Sequence, residues 1–138
     1  FLHAREALMQ CFRPILTEAG ITEQQWRVLR TLYDYQQIDA ATLAKEAQIL
    51  APSLTRMLKV LESTDMIVRM PDPQDQRRQQ ISLSAHGRST VGRLGPEIEG
   101  VYQELEQQVG PGLLEDLYER VEALIKRVEE TKKPRSHQ

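Results

Sequence analysis

Apolar residues recur at helical spacing over most of this chain. Leu2, Leu8, Phe12, Ile15 and Leu16 predict a helix over residues 1–18, closed by Gly20. Thr22 followed by Gln25 is a capping box that opens a second helix, running to about Tyr35 and burying Trp26, Val28, Leu29 and Leu32. Ile38-Asp39-Ala40 is long enough only for a strand stub. A short helix follows over 41–47, with Leu43 and Ala44 inward. Gln48-Ile49-Leu50 interrupts it, and Pro52 suits the first turn of a new helix that lasts to Ser63. Residues 66–70 and 79–83 alternate as two strands of a hairpin. Ser84 is the expected N-cap of a long helix over 85–108, weakened or kinked at Gly92 and Gly95-Pro96. Gly110-Pro111-Gly112 stops it. Leu113, Leu114, Leu117, Val121, Leu124, Ile125 and Val128 form a last amphipathic helix, and residues 132–138 are expected to be a disordered tail.

Two short helices joined by a three-residue turn, then a hairpin with a long tip, make a winged helix-turn-helix. The expected fold is therefore mainly α with a small β-hairpin. Residues 21–95 form the winged region, and residues 1–20 and 96–131 form a helical dimerisation region. The second short helix is the candidate reader. At about 100° per residue, Leu54, Met57, Leu58 and Leu61 share one side, while Pro52, Thr55, Arg56, Lys59 and Ser63 share the other. Two cations and short hydroxyls suit guanine edges, phosphates and other short hydrogen bonds in a major groove. An ordinary amphipathic helix with two solvated cations fits the same pattern.

The hairpin tip changes that balance. In "MPDPQDQRRQQISL" (residues 70–83), Pro71 and Pro73 stiffen the approach, and Arg77 and Arg78 stand side by side. Asp75, two residues earlier, is placed to orient the Arg77 guanidinium. Arg77 is then a candidate minor-groove finger and Arg78 a phosphate contact.

Charge supports the placement. The chain of 138 residues has formal net charge −2, yet between Pro52 and Arg93 seven basic residues oppose four acidic ones. Between Glu97 and Glu130 the balance is three against ten. A near-neutral chain still binds a polyanion if its cations share a face. One cysteine, Cys11, excludes an intramolecular disulfide and fits a reducing cytoplasm. No apolar run approaches the roughly 20 residues of a membrane span, and no signal peptide is visible. Phe1 is not a start methionine and stands in what the pattern makes mid-helix, so further residues are expected before it.

The stretch "LAKEAQILAPSLTRMLKVLESTDMIVRMPDPQDQRRQQISLSAHG" resembles the winged helix of the MarR family of bacterial transcription regulators. Its matching elements are Leu43-Ala44, then Ser53, Thr55 and Arg56, then Leu61. The family's D-x-R wing element falls on Asp75 and Arg77. A narrower likeness, in "AREALMQCFRPILTEAGITEQQWRVLR", is to regulators of homoprotocatechuate (4-hydroxyphenylacetate) degradation operons. The resemblance covers nearly the whole chain. It implies a homodimer built from interlocked first and last helices, bound to a pseudo-palindromic double-stranded DNA operator through Pro52, Ser53, Thr55, Arg56, Lys59, Asp75, Arg77 and Arg78. Ala51, a poor N-cap, departs from the pattern and leaves the reader helix's start irregular.

The same resemblance implies a repressor released by a small aromatic carboxylic acid. Arg13, inside "CFRPIL", is the candidate cation and Trp26 a wall, with His3, Arg5 and Arg30 as further polar candidates. Arg13 as an exposed or ion-paired arginine and Trp26 as plain core remain open. Cys11 offers a rival input, a peroxide-sensing thiol in the first helix, against a buried inert cysteine. A winged helix that binds only protein is a third possibility. His3, His86 and His137 are scattered, and no metal-ligand spacing or nucleophile motif is present, so neither an enzyme nor a cofactor is expected.

Overall fold

The structure, a computed structural model, describes residues 1–132. Six helices and three short strands follow in the order α1 (Leu2–Glu18), α2 (Glu23–Tyr33), β1 (Ile38–Asp39), α3 (Ala40–Ala47), α4 (Ala51–Ser63), β2 (Ile67–Pro71), β3 (Gln79–Leu83), α5 (Ala85–Val109) and α6 (Leu113–Lys132). They form two compact units, Phe1–Ile98 and a second beginning at Glu99. The expected dimerisation region, 1–20 and 96–131, is thus divided between them.

The first unit is built on Val28, Leu29, Leu32, Leu43, Leu54, Leu61, Ile81 and Leu94, all essentially buried. Leu16 and Ile21 tie α1 to this core. The capping box of α2 is formed: Thr22 Oγ accepts from the Gln25 N–H at 3.1 Å, and Gln25 Oε1 accepts from the Thr22 N–H at 3.0 Å. The helix stops at Tyr33 rather than Tyr35. The stub is a real strand. Ile38 pairs with Ile81, so the hairpin becomes a three-stranded antiparallel sheet ordered β1-β3-β2. β2 lies at its edge, which tolerates Pro71 as the last strand residue.

Gln48 ends α3 in the left-handed conformation (φ 58°), and the Ile49 N–H returns to the Ala44 carbonyl. The reader helix begins one residue earlier than expected. Leu50 is its N-cap, without a side-chain cap, so Ala51 lies inside the first turn beside Pro52. α5 is continuous through Gly92, Gly95 and Pro96, so the expected weak point leaves its helical course unbroken. The second unit carries Leu117, Tyr118, Val121, Leu124, Ile125 and Val128 exposed along α6. Its Tyr102 and Tyr118 rings pair at 6.2 Å. Lys132 ends α6, and the rest of the expected tail lies outside the described residues.

Candidate nucleic-acid interface

On α4 the computed faces hold. Leu54, Leu58 and Leu61 are buried and Met57 is half-buried, while Pro52, Thr55, Arg56, Lys59 and Ser63 face solvent and Ser53 is half-buried. Thr55 Oγ1 donates to the Ala51 carbonyl at 3.0 Å, a helix back-bond that holds its rotamer. Arg56 and Lys59 have no carboxylate partner among the described residues.

The wing is organised by two aspartates. Asp72 Oδ1 accepts from the Gln74 N–H at 2.9 Å, and its Oδ2 accepts from Gln80 Nε2 at 3.2 Å. The Gln74 N–H, then Gln80, hold its carboxyl below the usual range. Asp75 Oδ1 accepts from the Arg77 N–H at 3.1 Å, and the Asp75 carbonyl accepts from the Arg78 N–H at 3.0 Å. This corrects the expected brace. Asp75 steadies the backbone that carries Arg77, in an Asx turn, and no ion pair joins it to the Arg77 guanidinium among the described residues. Arg77 and Arg78 are exposed and border a cleft of about 350 Å3 with Asp39, at the start of α3. The Arg78 charge reaches both Asp39 and Asp72, whose carboxyls it helps to lower.

Arg69, counted among the basic residues of the winged region, is already committed. Its Nε and Nη2 donate to the two carboxylate oxygens of Glu62 at 3.0 and 3.1 Å. That fork joins the reader helix to the wing, and the sequence reading missed it. The seven-residue separation crosses a turn, so no helical or strand periodicity announces the pair.

The ligand candidates divide. Arg13 Nη2 and Nη1 grip Glu6, and Arg13 Nε donates to Glu23 at 3.0 Å. Arg5 also donates to Glu23, at 2.7 Å. Arg13 holds the Glu6 carboxyl down. At Glu23 burial works upward, but Arg5 and Arg13 together outweigh it and the net shift is downward. Arg13 is therefore an ion-paired arginine here, not an uncommitted cation. Arg30 pairs with Asp34 at 2.9 Å and lies over the Tyr33 ring. His3 is exposed. Trp26 is half-buried and lines two cavities. One, of about 220 Å3, is mostly apolar: Met9, Phe12, Leu16, Trp26 and Ile98, with Arg5, Glu23 and Arg27. The other, of about 260 Å3, includes Arg27, Arg30 and Thr31.

Arg27 was also missed. Its Nε is buried with no hydrogen-bond partner, and it lines both cavities. Glu23, four residues earlier on α2, is the expected helical partner of Arg27 but turns to Arg5 and Arg13 instead. Cys11 is exposed, its thiol donating to the Ala7 carbonyl. The cation nearest to it in sequence, Arg13, is the one held by Glu6 and Glu23.

Residues 21–78, which span the reader helix and most of the wing, match the MarR family. The chain is 38% identical over 124 residues to the homoprotocatechuate degradative operon repressor of Escherichia coli, covering 90% of this chain and 84% of that protein. This protein belongs to the MarR family. It is 42% identical over 109 residues to the HTH-type transcriptional regulator FarR of Neisseria gonorrhoeae, covering 79% of this chain and 75% of that one. Its fold superposes on the crystal structure of NadR in complex with 4-hydroxyphenylacetate with a TM-score of 0.83, at 36% identity, covering 95% of this chain and 96% of that one. It is thus a MarR-type transcriptional regulator, not an enzyme, and regulators of this family bind DNA as dimers. No described helix is long and apolar enough to cross a membrane.

Proposed function

We propose that this protein is a repressor of an aromatic-acid catabolic operon in the bacterial cytoplasm, released from its operator by a small phenolic or phenylacetate-type acid. The DNA half rests on α4 and the wing. Arg56, Lys59 and the α4 hydroxyls enter the major groove, Arg77 enters the minor groove, and Arg78 meets phosphate. Arg77→Ala is expected to weaken operator binding about tenfold to a hundredfold with an unchanged melting temperature, because it removes one exposed contact and no packing. Log affinity of the parent should fall steeply with log salt, as counterion release requires. Fluorescence anisotropy across a salt series measures both, and a salt-independent affinity would defeat the reading.

The single observation that carries the ligand half is the Arg27 Nε. It is buried, without a partner, at the edge of an apolar slot walled by Trp26. A buried donor left unsatisfied costs about 1–3 kcal/mol, which an incoming carboxylate recovers. Arg5 and Arg27 against Glu23 leave the slot one positive charge in excess, matched to a monoanion. At about 220 Å3 it is smaller than drug-sized pockets of roughly 300–1,000 Å3 and suits a single ring. The likeness to the homoprotocatechuate repressor and to 4-hydroxyphenylacetate-bound NadR supports the same class. Release follows if the ligand favours a reader-helix spacing that fits the operator poorly.

Trp26 is the chain's one tryptophan, so its emission reports on the slot directly. Titration with 4-hydroxyphenylacetate and a panel of phenolic acids should shift that emission and release labelled DNA at the same concentrations. Arg27→Gln should raise the concentration needed at least tenfold while leaving DNA affinity unaltered. A panel that neither perturbs Trp26 nor releases DNA would rule the reading out.

A further inference from the structure

The root of the wing is pinned. The Met66 N–H donates to the Leu61 carbonyl at 2.8 Å, the Ser84 N–H donates to the Met66 carbonyl at 3.0 Å, and Ser84 Oγ donates to the Asp65 carbonyl. Ser84 Oγ also accepts from the Gly87 N–H at 2.9 Å. These bonds fix where the wing starts. All of them lie close to the Thr64–Met66 turn; further out, Ile67 and Ile81 in the core and the pairing of Ile81 and Gln80 with β1 hold β3, which leaves β2 as the free outer edge of the sheet. Asp65 takes the left-handed conformation in the turn (φ 59°), and no regular backbone ladder joins α4 to β2.

Among the described residues one ion pair ties that outer edge to α4. Glu62, in the last turn of α4, accepts from Arg69, the third residue of β2, through two parallel bonds of 3.0 and 3.1 Å. Arg69 is only 19% exposed. The fork raises the Arg69 pKa, and Arg69 in turn lowers that of Glu62. At about 3.3 Å per strand residue, Arg69 stands roughly 7 Å along β2 from Ile67 and the Arg77 tip at most roughly 20 Å from it. With β3 held, a twist of the hairpin that shifts the β2 edge at Arg69 is carried outward to the tip, where a few ångströms are enough to take Arg77 out of a groove about 6 Å wide.

We infer that Glu62 and Arg69 are positioning residues for operator recognition: their fork holds the β2 edge of the wing at its angle to the reader helix, so that major-groove and minor-groove contacts form together. This rests on the reading of Arg77 as the minor-groove contact. It also explains a carboxylate beside a DNA-facing surface, where charge alone disfavours one.

The sign of one substitution tests it. Glu62→Ala removes a negative charge next to DNA, so electrostatics alone predicts tighter binding to any duplex. A positioning role predicts tighter or equal binding to random duplex but about fivefold to tenfold weaker binding to a pseudo-palindromic duplex selected by the parent protein from a random pool. Arg69→Lys keeps the charge and loses the fork. It should weaken binding to the selected duplex about threefold or more with no change in salt slope, and it serves if Glu62→Ala fails to fold. The cost of Arg77→Ala should shrink in either background, although neither residue touches Arg77. Full-length dimers, anisotropy and a thermal melt suffice. If Glu62→Ala binds the selected duplex as tightly as the parent while Arg77→Ala weakens it, the positioning role is wrong and the wing contact stands. If Arg77→Ala has no effect in the parent, both fall.

Discussion

Gly87→Ala is expected to cost about 3 kcal/mol of folding stability and about 10 °C in melting temperature. A Cβ at Gly87 would stand 2.0 Å from the Met66 carbonyl oxygen and 3.0 Å from its carbonyl carbon. Both are backbone atoms, and the oxygen already accepts from the Ser84 N–H. Nothing there moves without opening the root of the wing. Gly92→Ala, on the same helix, is the control. Its Cβ would meet only the Tyr33 hydroxyl at 4.0 Å, and alanine's helix propensity should make it neutral or stabilising by up to about 1 kcal/mol. Thermal melts followed by circular dichroism separate the two. Equal melting points for Gly87→Ala and the parent would contradict the close approach.

Leu124→Glu is expected to convert the dimer to a monomer and to lower operator affinity by about a hundredfold or more. Leu117, Val121, Leu124, Ile125 and Val128 form an exposed stripe on α6 at helical spacing. A run of this kind on a lone chain marks a surface with a partner. In a twofold dimer each substitution enters the interface twice, and an uncompensated carboxylate in an apolar seam costs several kcal/mol. Losing the dimer separates two reader helices that should stand about 34 Å apart on the operator. Sedimentation gives the mass and anisotropy gives the affinity. A Leu124→Glu protein that sediments as a dimer would place the interface elsewhere.

The helices were legible because their apolar periods are strong and their ends are marked by chemistry: Thr22 and Gln25, Pro52, Ser84, and the Gly110-Pro111-Gly112 stop. What spacing left open was decided by neighbours. Ile38 is a strand residue because Ile81 lies opposite it. Pro71 ends β2 because that strand is an edge. α5 runs through Gly95-Pro96 unbroken although local propensity disfavours it. Among functional residues, the exposed face of α4 and the Arg77-Arg78 tip could be read from spacing. The state of most charges could not, the i,i+4 pair Arg30–Asp34 excepted. Spacing left Arg13 open between ligand cation and ion-paired arginine, and Glu6 and Glu23 hold it; Arg27, ordinary by spacing, has a buried Nε without a partner.

The sequence by itself determined the elements, the outward set Pro52, Thr55, Arg56 and Lys59, and the cationic tip, because these depend on residues a few positions apart and on intrinsic turn chemistry. Arg30 and Asp34 aside, only the tertiary structure decided which arginines are ion-paired and which remain available, and that Asp75 holds a backbone while Glu62 holds Arg69. Ion pairs form between side chains brought together by packing. Their partners lie 7 to 18 residues apart in the pairs Glu62–Arg69 and Arg5–Glu23, beyond the reach of any local period.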